Sequence, residues 1–192
     1  MARLRYLDRE DLAEEDKRLL DRPANLFRLL VHSPDGYRNF ARLGGWIRSG
    51  STLDPRLREM AILQVGYLTS AVYEWTHHIE LGRNDFGVSD EDIRAIVAET
   101  NGAGSALPEF DRAVLRLARE MTSEVAGSQQ ALDAVRVELS DEHVVDLCMT
   151  IAYYNLVVRV LLTLQVDLEP EYESVLDEFP LPDPPLVPAA TS

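Results

Sequence analysis

Two stretches of this chain, 55–69 and 141–165, are apolar around most of their circumference when wound as helices. The first carries Met60, Ile62, Leu63, Val65, Tyr67 and Leu68. The second carries Val144, Val145, Leu147, Cys148, Ile151, Ala152, Leu156, Val157, Val160 and Leu161. A helix that is apolar on most sides must be surrounded by other apolar surface. No uninterrupted apolar run reaches the roughly 18 residues of a membrane span. Both stretches are therefore predicted to be central helices of a packed core. Their starts are marked: Asp54-Pro55 supplies a capping side chain followed by proline at the first helical position, and Ser140 caps the second.

The rest of the chain reads as helices that cover these two. A charged amphipathic helix is expected over 8–21 and a short one from Pro23. A third runs from Pro34 to Ser49, with Tyr37, Phe40, Leu43 and Ile47 at helical spacing. Thr69-Ser70 interrupts the first apolar helix, and a partner follows over 71–83. Ser89 with Asp92 forms a capping-box pattern that opens a helix to Glu99. Further helices are expected over 108–124 and 128–137. No segment alternates as a strand. The expected fold is all-α, a single domain over residues 1–178. Beyond it lies a tail over 179–192 with prolines 180, 182, 184, 185 and 188, which cannot be helical. The tail is expected either to be disordered or to lie as an extended arm on a neighbour.

Composition removes several functions. The net charge of −14 disfavours nucleic acid and anionic membranes, which call for a basic face. A single cysteine, Cys148, rules out an internal disulfide, a CxxC redox pair and a multi-cysteine zinc site. It reads as an inert core thiol. The only lysine, Lys17, sits in the charged run Glu14-Glu15-Asp16-Lys17-Arg18, where a Schiff-base mechanism has no desolvated amine. The N-terminus moves directly into charged sequence without a signal-peptide pattern. These features together predict a soluble, cytoplasmic protein.

The chemistry concentrates in Glu59 and in Glu74-Trp75-Thr76-His77-His78. Glu74 and His78 lie four apart, on one face of a helix and one turn from each other. A carboxylate beside an imidazole favours the charged ring and fixes its orientation, which suits proton transfer near neutral pH. The same spacing also produces plain surface ion pairs. Glu59 is either a first-turn acid favoured by the helix dipole, or it is carried to the histidines by a helix-to-helix return. Of the adjacent histidines, one is expected to face the site and the other a subunit boundary or solvent. Tyr73 and Trp75 flank the pair as candidate substrate contacts, together with His77. Arg159, four residues from Asn155 in the most apolar helix, needs a counter-charge. That is either an acid such as Glu59 or Glu74, or a substrate carboxylate. Glu59, Glu74 and His78 do not have a recognised metal spacing, so no metal is assigned.

The stretch from Leu53 to Ile96 resembles the carboxymuconolactone decarboxylase family. It contains Leu-Asp-Pro-Arg-Leu-Arg-Glu-Met-Ala-Ile-Leu, Tyr-Glu-Trp-Thr-His-His-Ile-Glu-Leu-Gly and Gly-Val-Ser-Asp-Glu-Asp-Ile, roughly a quarter of the chain. Tyr154-Asn155 through Arg159 and Leu164 are similar to the last helix of longer relatives. The resemblance implies the alkylhydroperoxidase D-like helical bundle. The peroxidase branch of that family resembles this chain at Glu59 and His78. It uses two cysteines at positions that are Ala71 and Glu74 here, so its thiol chemistry does not carry over. The decarboxylase branch lacks the cysteines and resembles this chain in the acid four residues before His78, although Glu59 is less typical of it. What this implies is a cofactor-independent lyase acting on a small organic lactone acid. Glu59, Glu74 and His78 would be its catalytic groups. Tyr73, Trp75, His77 and Arg159 would contact substrate, and the assembly would be a homo-oligomer, a trimer or hexamer. A binding relative without catalysis is the alternative, and a peroxidase-type oxidoreductase without the usual cysteine pair is a more distant one.

Overall fold

A computed structural model describes residues 1–183 and 186. Among the described residues there are nine α-helices and no strand. They are α1 (Asn25–Leu30), α2 (Pro34–Ser49), α3 (Pro55–Thr69), α4 (Val72–Asp85), α5 (Asp90–Thr100), α6 (Glu109–Ser123), α7 (Gln129–Val135), α8 (Asp141–Leu164) and α9 (Glu173–Glu178). The all-α expectation holds, as does the placement of α3 at the centre. Every residue of α3 from Leu57 to Leu68 is buried, because α4, α5, α6 and α8 all pack on it.

Local chemistry fixes where α3 begins and ends. The Asp54 side chain accepts from the Leu57 amide at 2.9 Å, and Pro55 presets the first helical φ. Ser70 then turns left-handed at φ 48°, and its amide closes onto the carbonyls of Gly66 and Tyr67. The chain doubles back at once into α4. A Cβ added at Gly66 would stand 3.3 Å from the Trp75 backbone nitrogen, so the two helices approach at a point where only glycine fits without displacement. This tight hairpin places Glu59 across from His78.

Two main cores flank α3. One is built with α8 and α6 and includes Ile62, Val65, Leu117, Leu147, Ile151 and Val158. The other holds Met60, Leu63, Tyr67, Trp75, Ile79, Ile93, Ile96 and Phe179. A smaller cluster of Leu7, Leu20, Val31 and Tyr37 anchors the N-terminal segment.

Three expectations change. Residues 8–21 form two 3-10 stretches, Arg9–Asp11 and Glu14–Leu20, separated by extended Leu12, in place of one α-helix. The Lys17–Glu14 pair at i,i+3 suits the tighter winding. Helix α8 is central on one side only. Val145, Met149, Ala152 and Leu156, spaced 4, 3 and 4 residues apart, face outward. By length and composition α8 could cross a membrane, yet half of its most apolar window is buried within the fold. Finally, the start of the tail packs on its own chain. Phe179 is buried, its carbonyl accepts the Trp75 indole N–H at 2.8 Å, and the Pro182 carbonyl accepts the Ser70 hydroxyl at 2.8 Å. Sequence periodicity overlooked α9 and the 3-10 turn Pro170–Tyr172, which are too short to show a repeat. Residues 184, 185 and 187–192 of the tail lie outside the described residues.

Candidate active site

Glu59, Glu74 and His78 meet at the wall of a cavity of about 320 Å³. The cavity is bounded by α1, α2, α4, α8 and the segments that precede α1 and α9. Its walls are largely aromatic, with Phe27, Phe40, Tyr73, Tyr153, Tyr154 and Tyr172 among the lining residues. Glu74, His77 and His78 line it too. Glu59 does not; it sits behind His78, fully buried. The helix-to-helix return is thus the geometry found, and the reading of Glu59 as an ordinary first-turn acid is set aside.

His78 is gripped from both sides. Its Nδ1 lies 2.6 Å from Glu59 Oε2 in a buried hydrogen bond, and its Nε2 lies 3.0 Å from Glu74 Oε1. A neutral imidazole would turn a lone pair toward one of these carboxylates, whereas the imidazolium offers N–H to both. Burial by itself favours the neutral ring, but the adjacent Glu59 and Glu74 overcome it and push the His78 pKa up to about 10. The two contacts differ in kind. Glu59 makes an aligned hydrogen bond, while the Glu74 contact is an ion pair without that alignment, and Glu74 Oε1 is buried with no hydrogen bond. The proton between Nε2 and Glu74 is therefore the loosely held one, and it is the one beside the cavity.

Arg58 completes the charge balance. Only 2% exposed, it donates from Nε to Glu59 Oε1 at 3.2 Å and lies over the Phe86 ring at 4.6 Å. Two acids and two cations make the buried group neutral overall, which an interior of low dielectric requires. Tyr154 adds a hydroxyl. Its ring meets His78 edge-on at 4.9 Å, and its side chain lines the cavity. Burial, then the charges of Glu74 and Glu59, hold its pKa well above 10, so it remains a proton-bearing donor.

His77 has a separate role. Its ring stacks between Tyr73 at 4.0 Å and Tyr172 at 3.8 Å. Nδ1 bonds the Tyr73 carbonyl, and Nε2 lies 3.2 Å from Glu169 Oε2. Glu169 in turn accepts from the Asn25 amide and the Tyr73 hydroxyl. This network fastens the segment before α9 against α4 at the edge of the cavity. Both adjacent histidines therefore line the cavity, contrary to the expectation that one would turn away: the second is held there by stacking rather than by an acid one turn off.

Two expected contacts are not in the cavity. Trp75 is completely buried in the second core, against Tyr67. Arg159 lies on the outward side of α8, where it donates to the carbonyl and the side-chain oxygen of Asn155 at 2.6 and 2.7 Å. It is paired with neither Glu59 nor Glu74, and it does not line the cavity. Conversely, Arg58, Tyr154, Arg22 and Arg48 belong to the site or its rim and were not singled out from sequence. The signals were slight: Tyr153-Tyr154 as adjacent phenols in an apolar helix, and Arg48 one turn beyond Gly44.

The fold is that of an alkylhydroperoxidase D-like helical bundle, in a chain without a redox cysteine pair. Residues 34–120 match the model of the carboxymuconolactone decarboxylase family. Solved structures share the fold at low identity. A peroxidase-related protein of Ralstonia eutropha JMP134 with the alkylhydroperoxidase AhpD core superposes with a TM-score of 0.73 at 20% identity, over 89% of this chain and 94% of that one. The debrominase Bmp8 in complex with 2,3,4-tribromopyrrole gives 0.75 at 17% identity, over 93% and 100%. A peroxidase-related protein of Silicibacter sp. TM1040 gives 0.65 at 18% identity, over 76% of each chain. No curated protein matches the sequence.

Proposed function

We propose that this protein is a cofactor-independent acid–base catalyst, a carboxy-lyase acting on a small organic lactone acid. The observation that carries this reading is the His78 imidazolium held between two buried carboxylates at the wall of an aromatic cavity. Glu59 and Arg58 fix the ring and keep it charged. Glu74, beside the cavity, takes up or returns the proton on Nε2. In decarboxylation the bond to the departing carboxylate breaks, and carbon dioxide leaves. The electron pair moves into the conjugated lactone carbonyl, and His78 then protonates the resulting carbanion. The Tyr154 hydroxyl donates a hydrogen bond to the enolate oxygen as charge develops on it.

Thiol chemistry has less support. Burial pushes the Cys148 thiol pKa up, which lowers its nucleophilicity, and Cys148 is not among the residues lining the cavity. The cavity, which reaches both His78 and Glu74 instead of leaving them sealed within the protein, supports catalysis over a purely binding role. A cytoplasmic setting and a homo-oligomeric state go with this reading.

Turnover of a panel of lactone acids by the parent protein, His78→Ala and Glu74→Gln tests it. Both variants are expected to lose activity by at least about 100-fold, the usual scale for a general acid–base group. If both match the parent, the assignment is wrong.

A further inference from the structure

The rim of the cavity carries positive charge that the acid–imidazole cluster does not use. Arg48 lies in the last turn of α2, and Arg22 stands just before Pro23 at the approach to α1. Both line the cavity, and both are exposed. With 33 acids against 19 basic residues, arginines in this chain readily find partners, as Arg56 does with Asp92 and Asp111, and Arg83 with Asp90 and Glu178. Among the described residues the guanidinium groups of Arg22 and Arg48 have neither an acidic partner nor a hydrogen bond. The space beneath them is bounded by rings. Gly44, one turn before Arg48, lets Tyr153 pack so closely that a Cβ there would lie 2.6 Å from its hydroxyl.

The charge pattern sets a direction. The Glu74 carboxylate on the inner wall disfavours an anion, and the two rim cations favour one. We propose that Arg22 and Arg48 bind the carboxylate of a small planar organic acid. Its ring or conjugated body lies against Phe27, Phe40 and Tyr153, and its far end points to Glu74 and His78. In the lyase reading, on which this direction rests, the carboxylate held at the rim is the one retained, not the one that departs. A volume of about 320 Å³ is at the small end for ligand cavities, which suits a single ring or its open-chain equivalent.

Calorimetric titration of the intact protein with benzoate and with benzamide, its uncharged counterpart of the same shape, tests the proposal without turnover. Benzoate is expected to bind roughly tenfold more tightly than benzamide, and added salt is expected to narrow the gap. Arg48→Gln and Arg22→Gln are each expected to weaken benzoate roughly tenfold and to leave benzamide unchanged. Glu74→Gln should retain benzoate binding. Both arginine heads are exposed and unpartnered, so the melting temperature of each variant should match the parent and separate lost binding from lost folding. Absent benzoate binding, equal binding of acid and amide, or benzoate binding that survives the double substitution overturns the proposal. Failure of the lyase reading would look different: arginine-dependent benzoate binding would persist while His78→Ala left turnover of the lactone acids untouched.

Discussion

At the residue scale, His78 determines how the site responds to pH. Its pKa of about 10 stands above the ordinary 6.5, so the folded state binds the proton more tightly than the unfolded chain does. The stabilisation this provides is complete below about pH 6.5. It declines as pH rises from there and is gone above about pH 10. Calorimetric melting across this range should show a falling midpoint in the parent and a flatter profile in His78→Ala. Long-range ¹⁵N spectra should show His78 protonated on both ring nitrogens at pH 8; a neutral ring at that pH would contradict the cluster as described. Glu59→Gln removes the aligned carboxylate and leaves Arg58 buried without its counter-charge. Breaking such a pair costs on the order of 3 kcal/mol, to be read from urea denaturation.

At the element scale, the hairpin of α3 and α4 sets the geometry. Gly66 permits the close approach, and the atoms an added methyl would meet are Trp75 backbone, which cannot rotate away. Gly66→Ala gains up to about 1 kcal/mol of helix propensity but overpacks the contact at a cost of about 1–3 kcal/mol. Net destabilisation is expected, with the helices forced apart and the His78 ring resonances shifted. The opposite face of α4 depends on the chain beyond α9. Truncation after Glu178 removes Phe179 and leaves the buried Trp75 indole N–H without its acceptor, a loss of about 1–3 kcal/mol from that group alone. Trp75 fluorescence should move to the red as water enters; an unchanged spectrum would mean that the tail contributes nothing to this core.

At the scale of the whole molecule, α8 leaves the stripe of Val145, Met149, Ala152 and Leu156 exposed on one chain. Family resemblance implies a homo-oligomer, and this stripe is where a second copy would bury apolar surface. Sedimentation velocity of the parent is expected to show an assembly larger than a monomer, and Met149→Glu combined with Leu156→Glu is expected to shift it toward monomer. A parent that sediments only as a monomer would rule the assembly out.

Much of this architecture was legible in the sequence because it is local. Helical periodicity, the Asp54-Pro55 and Ser140 starts and the four-residue step from Glu74 to His78 depend on neighbours along the chain. So did the absence of a redox cysteine pair. What remained open depended on distant residues. Whether Glu59 was a first-turn acid or a partner of His78 turned on how tightly α3 folds back on α4, which Gly66 and left-handed Ser70 decide in three dimensions. Trp75 looked like a ligand contact because it sits beside Glu74 in the chain, but a helix turns about 100° per residue, and that rotation sends it into the opposite core. Arg159 looked central because its helix is apolar, but the unpacked face of α8 appears only once the other helices are in place. Sequence alone determined an all-helical chain with an acid–imidazole pair. The tertiary fold decided that the pair is buried, doubly paired and open to a cavity, because only packing brings Glu59, Arg58 and Tyr154 to the same histidine.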